Sequence, residues 1–506
     1  MKKLGYLLIS LLLLSTTSCT KQNNEIKFTF LQLNDVYEIA PLEGGKVGGM
    51  ARVETLHQQL LKENPNTYMF LAGDFLNPSL LGTLKYKGKR IKGKQMIEVM
   101  NAMHFDLVAF GNHEFDLNEN ELQDRLNESN FKWIATNLKH KKGDTILPFS
   151  ILRNGKMQNI PKTVTFEVKN KEGKAIKIGF FSATVNANPK DYIVYDDFYK
   201  TAKKAYNSLK NNAKIVFGLT HVTKEDDTKI LKMLPEVPLI MGGHEHVNMS
   251  IPVGKGKVTK ADANAKTVYV HRITYNTKTK KVTINSTLVN IDDKIKPDEK
   301  VKKIVDKWGL FLDEKLNKIL DNPGAVLYHT NVPLDGRDTP IRSVQTNLGE
   351  LITKSMAYAF DNKVDCTIVN GGSIRIDDQL SGDITGFDIF RVMPFGGGIL
   401  KVKLTGSLLK EVLEYGREHA GKGAYLQRYL ATYNTDNETW LVNNKKIIDT
   451  KIYTVAFSDY LLKGYDIPFL TTENKGVVSV YTPKKTETAN DIRKVIIHYL
   501  KHLKNK

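Results

Sequence analysis

Cysteine is almost absent. Of 506 residues only Cys19 and Cys366 carry a thiol, so no disulfide framework holds this chain together. Acidic residues are outnumbered, 55 Asp and Glu against 74 Lys and Arg, which leaves a net charge of +19. Long apolar runs are missing as well: the one candidate lies at the extreme N-terminus and is too short to span a bilayer, which excludes a multi-span membrane protein. There is no internal repeat or low-complexity tract, and the 41% apolar and 25% charged residues are close to the globular mix of about 45–50% and about 25%. Wholesale disorder and a collagen-like repeat are therefore excluded. What remains is a chain long enough for two or three domains of ~100–200 residues. Its cationic excess is spread out rather than blocked. A lysine-rich solvated surface accounts for that, with attraction of an anionic substrate as the functional alternative. No motif that reads RNA or DNA accompanies the charge, which argues against a nucleic-acid polymer as partner.

The first residues, MKKLGYLLISLLLLSTTSC, combine two lysines, an apolar core at 7–14 and small residues leading into Cys19. This pattern resembles a bacterial lipoprotein signal in which Cys19 becomes the lipid-bearing first residue, with an ordinary secretory signal as the alternative. Either reading predicts export; the lipoprotein reading adds anchoring at the cell envelope, with residues 20–27 as a polar tether and the lipid as the only membrane attachment.

From residue 28 to about 290, short β runs alternate with amphipathic stretches. Strands are predicted at 28–33, 67–71, 107–109, 133–135, 176–182, 215–219 and 239–242, and helices at 52–62, 95–103 and 119–127, with hairpin-like material at 268–288. That alternation predicts a layered α/β domain. Val301, Ile304, Val305, Trp308, Leu312, Leu316 and Ile319 then recur at helical spacing, which predicts one amphipathic helix over 297–320 joining two domains. The expected division is a signal at 1–19, a tether at 20–27, a first domain at 28–295, a connector at 296–324 and a second mixed α/β domain at 325–506. Helices are expected in the last part at 348–360, 407–417 and 489–503.

The chemistry-bearing residues of the first half stand at the ends of β runs, where open α/β sheets place their ligand sites. Asp35 follows FTFLQLN, Asp74 ends FLAGD, Asn112 and His113 open GNHEFD, His221 follows IVFGLT, and His244 and His246 flank Glu245 after LIMGG. A lone Asp after a strand is ordinarily a helix cap, but a series of five such positions predicts a metal centre. Two divalent cations ~3.5–4 Å apart require a bridging carboxylate with nitrogen and oxygen donors; they lower the pKa of a shared water and clamp phosphate oxygens for in-line attack.

The order D…GD…GNHEFD…H…GHEH resembles the calcineurin-like metallophosphatases. Together with the second half, over roughly residues 28–483, it is similar to the bacterial periplasmic 5'-nucleotidase/UDP-sugar hydrolases and the animal ecto-5'-nucleotidases, with weaker support from Gly48–Arg52 and Lys87–Asn101. The resemblance implies a four-layer αββα domain followed by a mixed α/β substrate domain, and two divalent ions, Zn, Mn or Mg. It implies that Asp74 bridges the metals, that Asp35 and His246 complete one site, and that Asn112, His221 and His244 complete the other. His113 and Asp116 become the catalytic pair, unless Asp116 only caps the following helix, and Glu245 becomes a spacer. The family carries Asp-x-His at its first motif, whereas this chain has Asp35-Val36-Tyr37. A phenol, with an ordinary pKa of about 10, ligates a metal only when deprotonated, so either the first metal is held more loosely, with His246 partly compensating, or Tyr37 itself contacts metal or phosphate.

In the second half, GAYLQ at 423–427 resembles the family's G-x-F-L-Q loop, and FSDY with GYD at 464–466 resembles N-x-F-(x)3-G-G-D. On that resemblance Tyr425 and Tyr460 sandwich a base and Asp466 accepts from ribose hydroxyls. NGGSIR at 370–375 is similar to NGGGIR and places Asn370 and Arg375 toward the substrate; Arg342 matches another family arginine. A tight glycine turn with a surface arginine is the structural alternative for NGGSIR. Cys366 lies inside a β run and reads as core. The activity implied is phosphate release from nucleoside 5'-monophosphates. The same chemistry on 2',3'-cyclic nucleotides, UDP-sugars or nucleoside polyphosphates, and a nucleotide-binding lipoprotein of weak catalysis, are the alternatives.

Overall fold

The computed structural model describes residues 24–187 and 189–505. The expected signal at 1–19 and residues 20–23 of the tether lie outside the described residues. Residues 25–27 of that tether are instead the start of the first strand, Glu25–Leu33. It begins early because Ile26 is completely buried and pairs with Tyr275 across the antiparallel ladder.

Two six-stranded sheets lie face to face. The first runs, edge to edge, Val282–Asn290, Thr267–Asn276, Glu25–Leu33, Thr67–Ala72, Leu107–Ala109 and Lys132–Ile134. The second runs Thr163–Lys169, Ala175–Thr184, Ile215–His221, Leu239–Gly242, Gly256–Lys260 and Met249–Val253. Side chains alternate along each strand. Phe28 and Phe30 therefore point between the sheets, where Phe30 meets Phe70 at 4.9 Å and Phe217 at 5.0 Å between ring centroids. Leu31 and Leu33 point the other way, toward helices Met50–Glu63 and Lys94–Ala102. Phe198–Leu209 and Lys224–Met233 cover the far side of the second sheet. Both faces of the central strands are buried, which is why they read as continuous apolar runs, and the result is the four-layer α/β/β/α architecture.

The amphipathic helix is Glu299–Leu316, capped by Asp298, with Val301, Val305, Trp308, Leu312 and Leu316 buried. It packs on the first domain, and the Trp308 indole N–H donates to Glu98 at 3.0 Å. Beyond it, the second domain has a five-stranded sheet in the order Leu426–Tyr429, Cys366–Asn370, Ile452–Ser458, Ile399–Thr405 and Val477–Tyr481. Asn347–Tyr358 and Ile492–Lys504 cover one face and Gly406–Glu418 the other. Cys366 is a fully buried core residue. Among the described residues no helix is long and apolar enough to cross a membrane.

A segment of the second domain folds onto the first. Arg391 meets Glu38 at 3.2 Å, Asp378 meets Lys266 at 2.9 Å, and Asp383 meets Lys46 at 2.6 Å. The first two pairs are largely withdrawn from water, so the two domains share a dry, charged seam directly beside the candidate site.

Candidate active site

The carboxyl ends of the strands converge on one pit. Asp35 follows Glu25–Leu33, Asp74 follows Thr67–Ala72, Asn112 follows Leu107–Ala109, and His244 and His246 follow Leu239–Gly242; His221 ends Ile215–His221. Asp35, Asp74, His244 and His246 all adopt positive φ, at 53°, 59°, 93° and 63°. Non-glycine residues hold such backbone at a cost of about 1–3 kcal/mol each, and only where the surroundings over-determine it. Here the sharp turns bend each side chain back over its strand end into the pit.

The glycines before these residues serve the same crowding. A Cβ at Gly111 would lie 2.0 Å from Asp74 Oδ1, and one at Gly243 would lie 2.5 Å from the carbonyl oxygen of Ala72. Glu114 staples the loops together. Its Oε2 accepts from the backbone N–H groups of Asp74 at 2.9 Å and Gly111 at 2.7 Å, and its Oε1 from Phe75 at 2.8 Å and Leu76 at 3.1 Å. Burial and the neighbouring Asp74 push its carboxyl up to about 7. Behind the GHEH turn, the buried Lys260 donates to the carbonyls of Val222 and Gly243 and pairs with Asp227 and Glu245. Glu245 thus braces the turn rather than facing the pit.

Donor atoms of Asp35, Asp74 and His221 all lie within 4.8 Å of one another. The arrangement fits a divalent cation. Asp35 Oδ2 is satisfied by the Asn34 side chain at 2.7 Å and the His244 N–H at 2.9 Å, whereas Asp35 Oδ1 and His221 Nε2 are buried and make no well-directed hydrogen bond. His221 Nδ1 donates to the carbonyl of Ala72 at 2.8 Å, which sets the tautomer that leaves Nε2 as a ligand. His246 Nε2 lies 3.2 Å from Asp35 Oδ1. Burial works against charge on His221 and His246, yet the carboxylates around them win, lifting His221 to about 9 through Asp74 and Asp35 and His246 to about 10 through Asp377 and Asp35. The same carboxylate field attracts a divalent cation, which would displace those protons on binding. His244, with its ring 5.3 Å from His221, is pushed down to about 4 by burial and by His221. Asn112 is buried at the start of the His113 turn.

His113 stands at the mouth. Its N–H donates to Asp74 Oδ1 at 2.7 Å and its Nδ1 meets Asp116 Oδ2 at 2.8 Å. Burial opposes its charge, but Asp116 and Asp74 hold the imidazole well above its ordinary value. Burial alone would raise Asp116; the His113 cation and Arg375 bring it down to about 2. Asp116 does not cap the next helix, because Asn118 does so with Glu121. Tyr37 is buried, and its hydroxyl lies 3.0 Å from His246 Nε2 and 3.5 Å from Asp74 Oδ2. Burial together with Asp377, Asp74 and Asp35 raises the phenol well above its ordinary value.

Two cavities leave this point. One, of about 320 Å³, is walled by His113, Asp116 and Tyr37 and by six cations: Arg90, Lys92, Lys190, Arg342, Arg375 and Arg391. The other, of about 460 Å³, is walled by Asn370, Tyr460 and Asp466 and shares Arg342, Arg375 and Phe395 with the first. In it, Asn370 Nδ2 donates to Asp466 Oδ2 at 2.5 Å and the Tyr460 hydroxyl to Asp466 Oδ1 at 3.3 Å. Arg342 is paired with Asp338 at 2.6 Å and Arg375 lies 3.5 Å from Asp116. Tyr425 differs from the expectation: it is 6% exposed, lies under the guanidinium of Arg428 at 5.6 Å, and is not a wall of this cavity. Its main chain is instead pinned to the NGGSIR loop, the Gly371 N–H donating to the Tyr425 carbonyl at 2.7 Å. The aromatic that does face both cavities is Phe395, 66% exposed. Its only trace in the sequence is one large apolar residue in the PFGGG turn. Glu114, Lys260 and Asp377 also stand outside the predicted site, being charged residues with partners remote in the chain.

The calcineurin-like phosphoesterase family model matches residues 28–248 and the 5'-nucleotidase C-terminal domain model matches residues 326–472. The chain is 27% identical to mouse 5'-nucleotidase over 479 residues, covering 83% of this chain and 78% of that one. It is 26% identical over 439 residues to the trifunctional nucleotide phosphoesterase protein YfkN of Bacillus subtilis, covering 79% of this chain and 29% of that one. In fold it is similar to the 5'-nucleotidase precursor of Thermus thermophilus, with a TM-score of 0.66, 21% identity, and coverage of 95% of this chain and 97% of that one. With both halves matched in order, and with the metal-fitting pit in the first of them, the chain belongs to the 5'-nucleotidase family of calcineurin-like metallophosphoesterases, hydrolases of phosphoester bonds.

Proposed function

We propose that this chain is an exported 5'-nucleotidase, releasing phosphate from nucleoside 5'-monophosphates. The observation that carries this reading is the meeting of the two cavities along Arg342, Arg375 and Phe395. One end offers cations and the His113 imidazole to a phosphate; the other offers an aromatic face and the Asp466 carboxylate to a nucleoside. Asp35, Asp74, His221 and His246, with Asn112 and His244, are the residues that would hold two divalent ions, Zn, Mn or Mg, which when bound supply Lewis-acid polarisation and a water of lowered pKa. Asp116 fixes the ring of His113 and keeps it cationic, so that Nε2 steadies the phosphoryl oxygens and the departing ribose oxygen. Arg375 and Arg342 neutralise the phosphate on the opposite side. Tyr460 takes one face of the base and Asp466 accepts from the ribose hydroxyls. Residues 1–19 are the signal, and a lipid on Cys19 is the membrane attachment; Cys19→Ala is expected to move the protein from the membrane fraction to the soluble one.

The test is phosphate release from AMP by the purified protein with Mn²⁺, Zn²⁺, Mg²⁺ or EDTA. Turnover is expected only with metal and should drop about 10²–10⁴-fold in His113→Ala. Bound AMP without phosphate release in every metal would replace this reading with the binding lipoprotein. Release from another phosphate ester but not from AMP would keep the chemistry and move the substrate.

A further inference from the structure

The family's ligand set comes entirely from the first domain, yet the second domain sends a carboxylate into the same pit. Asp377 follows the NGGSIR motif by two residues. It is 6% exposed and has a φ of 45°, again the left-handed backbone found at Asp35, Asp74 and His246. Its Oδ2 lies 3.1 Å from the Tyr37 hydroxyl, 3.0 Å from His113 Nε2 and 3.6 Å from His246 Nε2, while Oδ1 accepts from the Asp338 N–H at 2.7 Å.

The aim of this carboxylate is enforced from both sides. Arg375 leans on Asp116 before it, and Asp378 is clasped by Lys266 after it. One buried amide couples it to the first motif: Asn264 Oδ1 accepts from the N–H groups of Tyr37 and Glu38, each at 3.1 Å, while its Nδ2 donates to Asp378 Oδ2 at 2.8 Å. Tyr37 and Asp377, 340 residues apart in sequence, are therefore tied into one hydrogen-bonded unit.

The spacing of the surrounding donors decides what the unit is for. Neighbouring donors on a single cation, with bonds of about 2.0–2.2 Å, stand roughly 3.0–3.5 Å from one another. Asp35 Oδ1 to His246 Nε2 is 3.2 Å, His246 Nε2 to the Tyr37 hydroxyl 3.0 Å, and that hydroxyl to Asp377 Oδ2 3.1 Å and to Asp74 Oδ2 3.5 Å. The third buried carboxylate beside Asp35 and Asp74 is met here by the imidazoles of His113 and His246, and a cation ligated by His246 Nε2 would take over that balance. We infer that Asp377 is a metal ligand delivered by the second domain, completing with Tyr37 the site that Asp35 and His246 begin and standing in for the histidine missing from the first motif. The inference rests on the metal-dependent reading above. It makes one metal site an interdomain site, so that the seam between the domains and the occupancy of that metal depend on each other.

The test is metal binding, not turnover. Protein stripped by chelator is titrated with Mn²⁺ by calorimetry, bound metal per chain is counted by mass spectrometry, and the Mn²⁺ spectrum is read by electron paramagnetic resonance. The wild type is expected to take two ions per chain. Asp377→Asn should keep one at wild-type affinity and bind the other about 10–100-fold more weakly, with the spin-coupled dinuclear signal replaced by that of isolated Mn²⁺. Asp377→Ser, smaller than the amide, is measured beside it, and near-UV circular dichroism of both metal-free variants reports their folding. Two ions at unchanged affinity in both variants would overturn the inference. If that came with tighter binding of inorganic phosphate, Asp377 would be an anionic plug of the phosphate position instead. Fewer than two ions in the wild type would bring down the dinuclear reading itself, a failure visible before any variant is made.

Discussion

The candidate metal pit and the proposed nucleoside cavity are built on opposite principles. The pit is buried, four of the candidate ligands sit on left-handed backbone, and glycines leave no space for even one added carbon. Its aim comes from strand ends locked between two sheets. The nucleoside cavity is made of loops on one edge of a smaller sheet, and its aromatics are open, Tyr460 at 37% and Phe395 at 66%. The difference matches the two tasks. Donors must be placed to within about 0.5 Å of their ideal positions to hold cations, whereas stacking on a base tolerates sliding and benefits from an accessible face. Substitutions in the first region should therefore act on the chemical step, and those in the second on affinity.

The largest effect expected is at the crowded glycine. Gly111→Ala forces a methyl against the Asp74 carboxylate, and Asp74→Asn replaces one oxygen of the proposed bridging carboxylate. Both should lower kcat by several kcal/mol, about 10³-fold or more, and both should reduce the metal bound per chain. Retained metal and turnover in Gly111→Ala would show that the pit is looser than its geometry implies.

A smaller effect sharpens the contrast within the second domain. Tyr460→Ala and Phe395→Ala should raise KM for a nucleotide by roughly 5–150-fold, the ~1–3 kcal/mol of a lost base stack, with kcat nearly unchanged. Tyr425→Ala should instead lower the thermal midpoint, because its ring is buried under Arg428. If Tyr425→Ala raises KM as much as Tyr460→Ala without loss of stability, Tyr425 faces the base and the cavity rearranges on binding.

The smallest effect lies at the seam where the two regions meet. Burial alone would raise the Asp378 carboxyl; Lys266 and Arg391 hold it below the ordinary value of 3.8. A depressed carboxylate contributes stability that is complete above its unfolded pKa and lost as pH falls through its folded one. Asp378→Asn should then lower the melting temperature by a few degrees at pH 7, on a scale of about 2–4 °C per kcal/mol for domains of about 150–250 residues. The gap to wild type should close as the pH drops below 3.8. A gap that persists in acid would mean that the amide disturbs packing rather than charge.

Legibility followed the same division. Leu107–Ala109 and Leu239–Gly242 match their predicted bounds, because short apolar runs followed by glycine leave few other structures. The outer helices Phe198–Leu209 and Lys224–Met233 are not among the predicted ones; they bury few large apolar residues, Leu209 beside two alanines in the first and Ile230 and Leu231 in the second. In the pit, each motif residue could be found at a strand end. The braces could not: Glu114 hides inside GNHEFD as one more acid, and Lys260 is one lysine in a chain of 74 Lys and Arg.

By itself the sequence determined the layered α/β class, the order of the two domains and the identity of the strand-end residues, because apolar periodicity and turn chemistry act over a few neighbours. Tertiary structure alone decided which of those residues meet, that Tyr425 turns inward while Phe395 stays open, and that Asp377 reaches Tyr37 across 340 residues. Such contacts depend on how whole sheets and domains pack. A carboxylate's local sequence is the same whether it ends in water, in an ion pair or beside a metal.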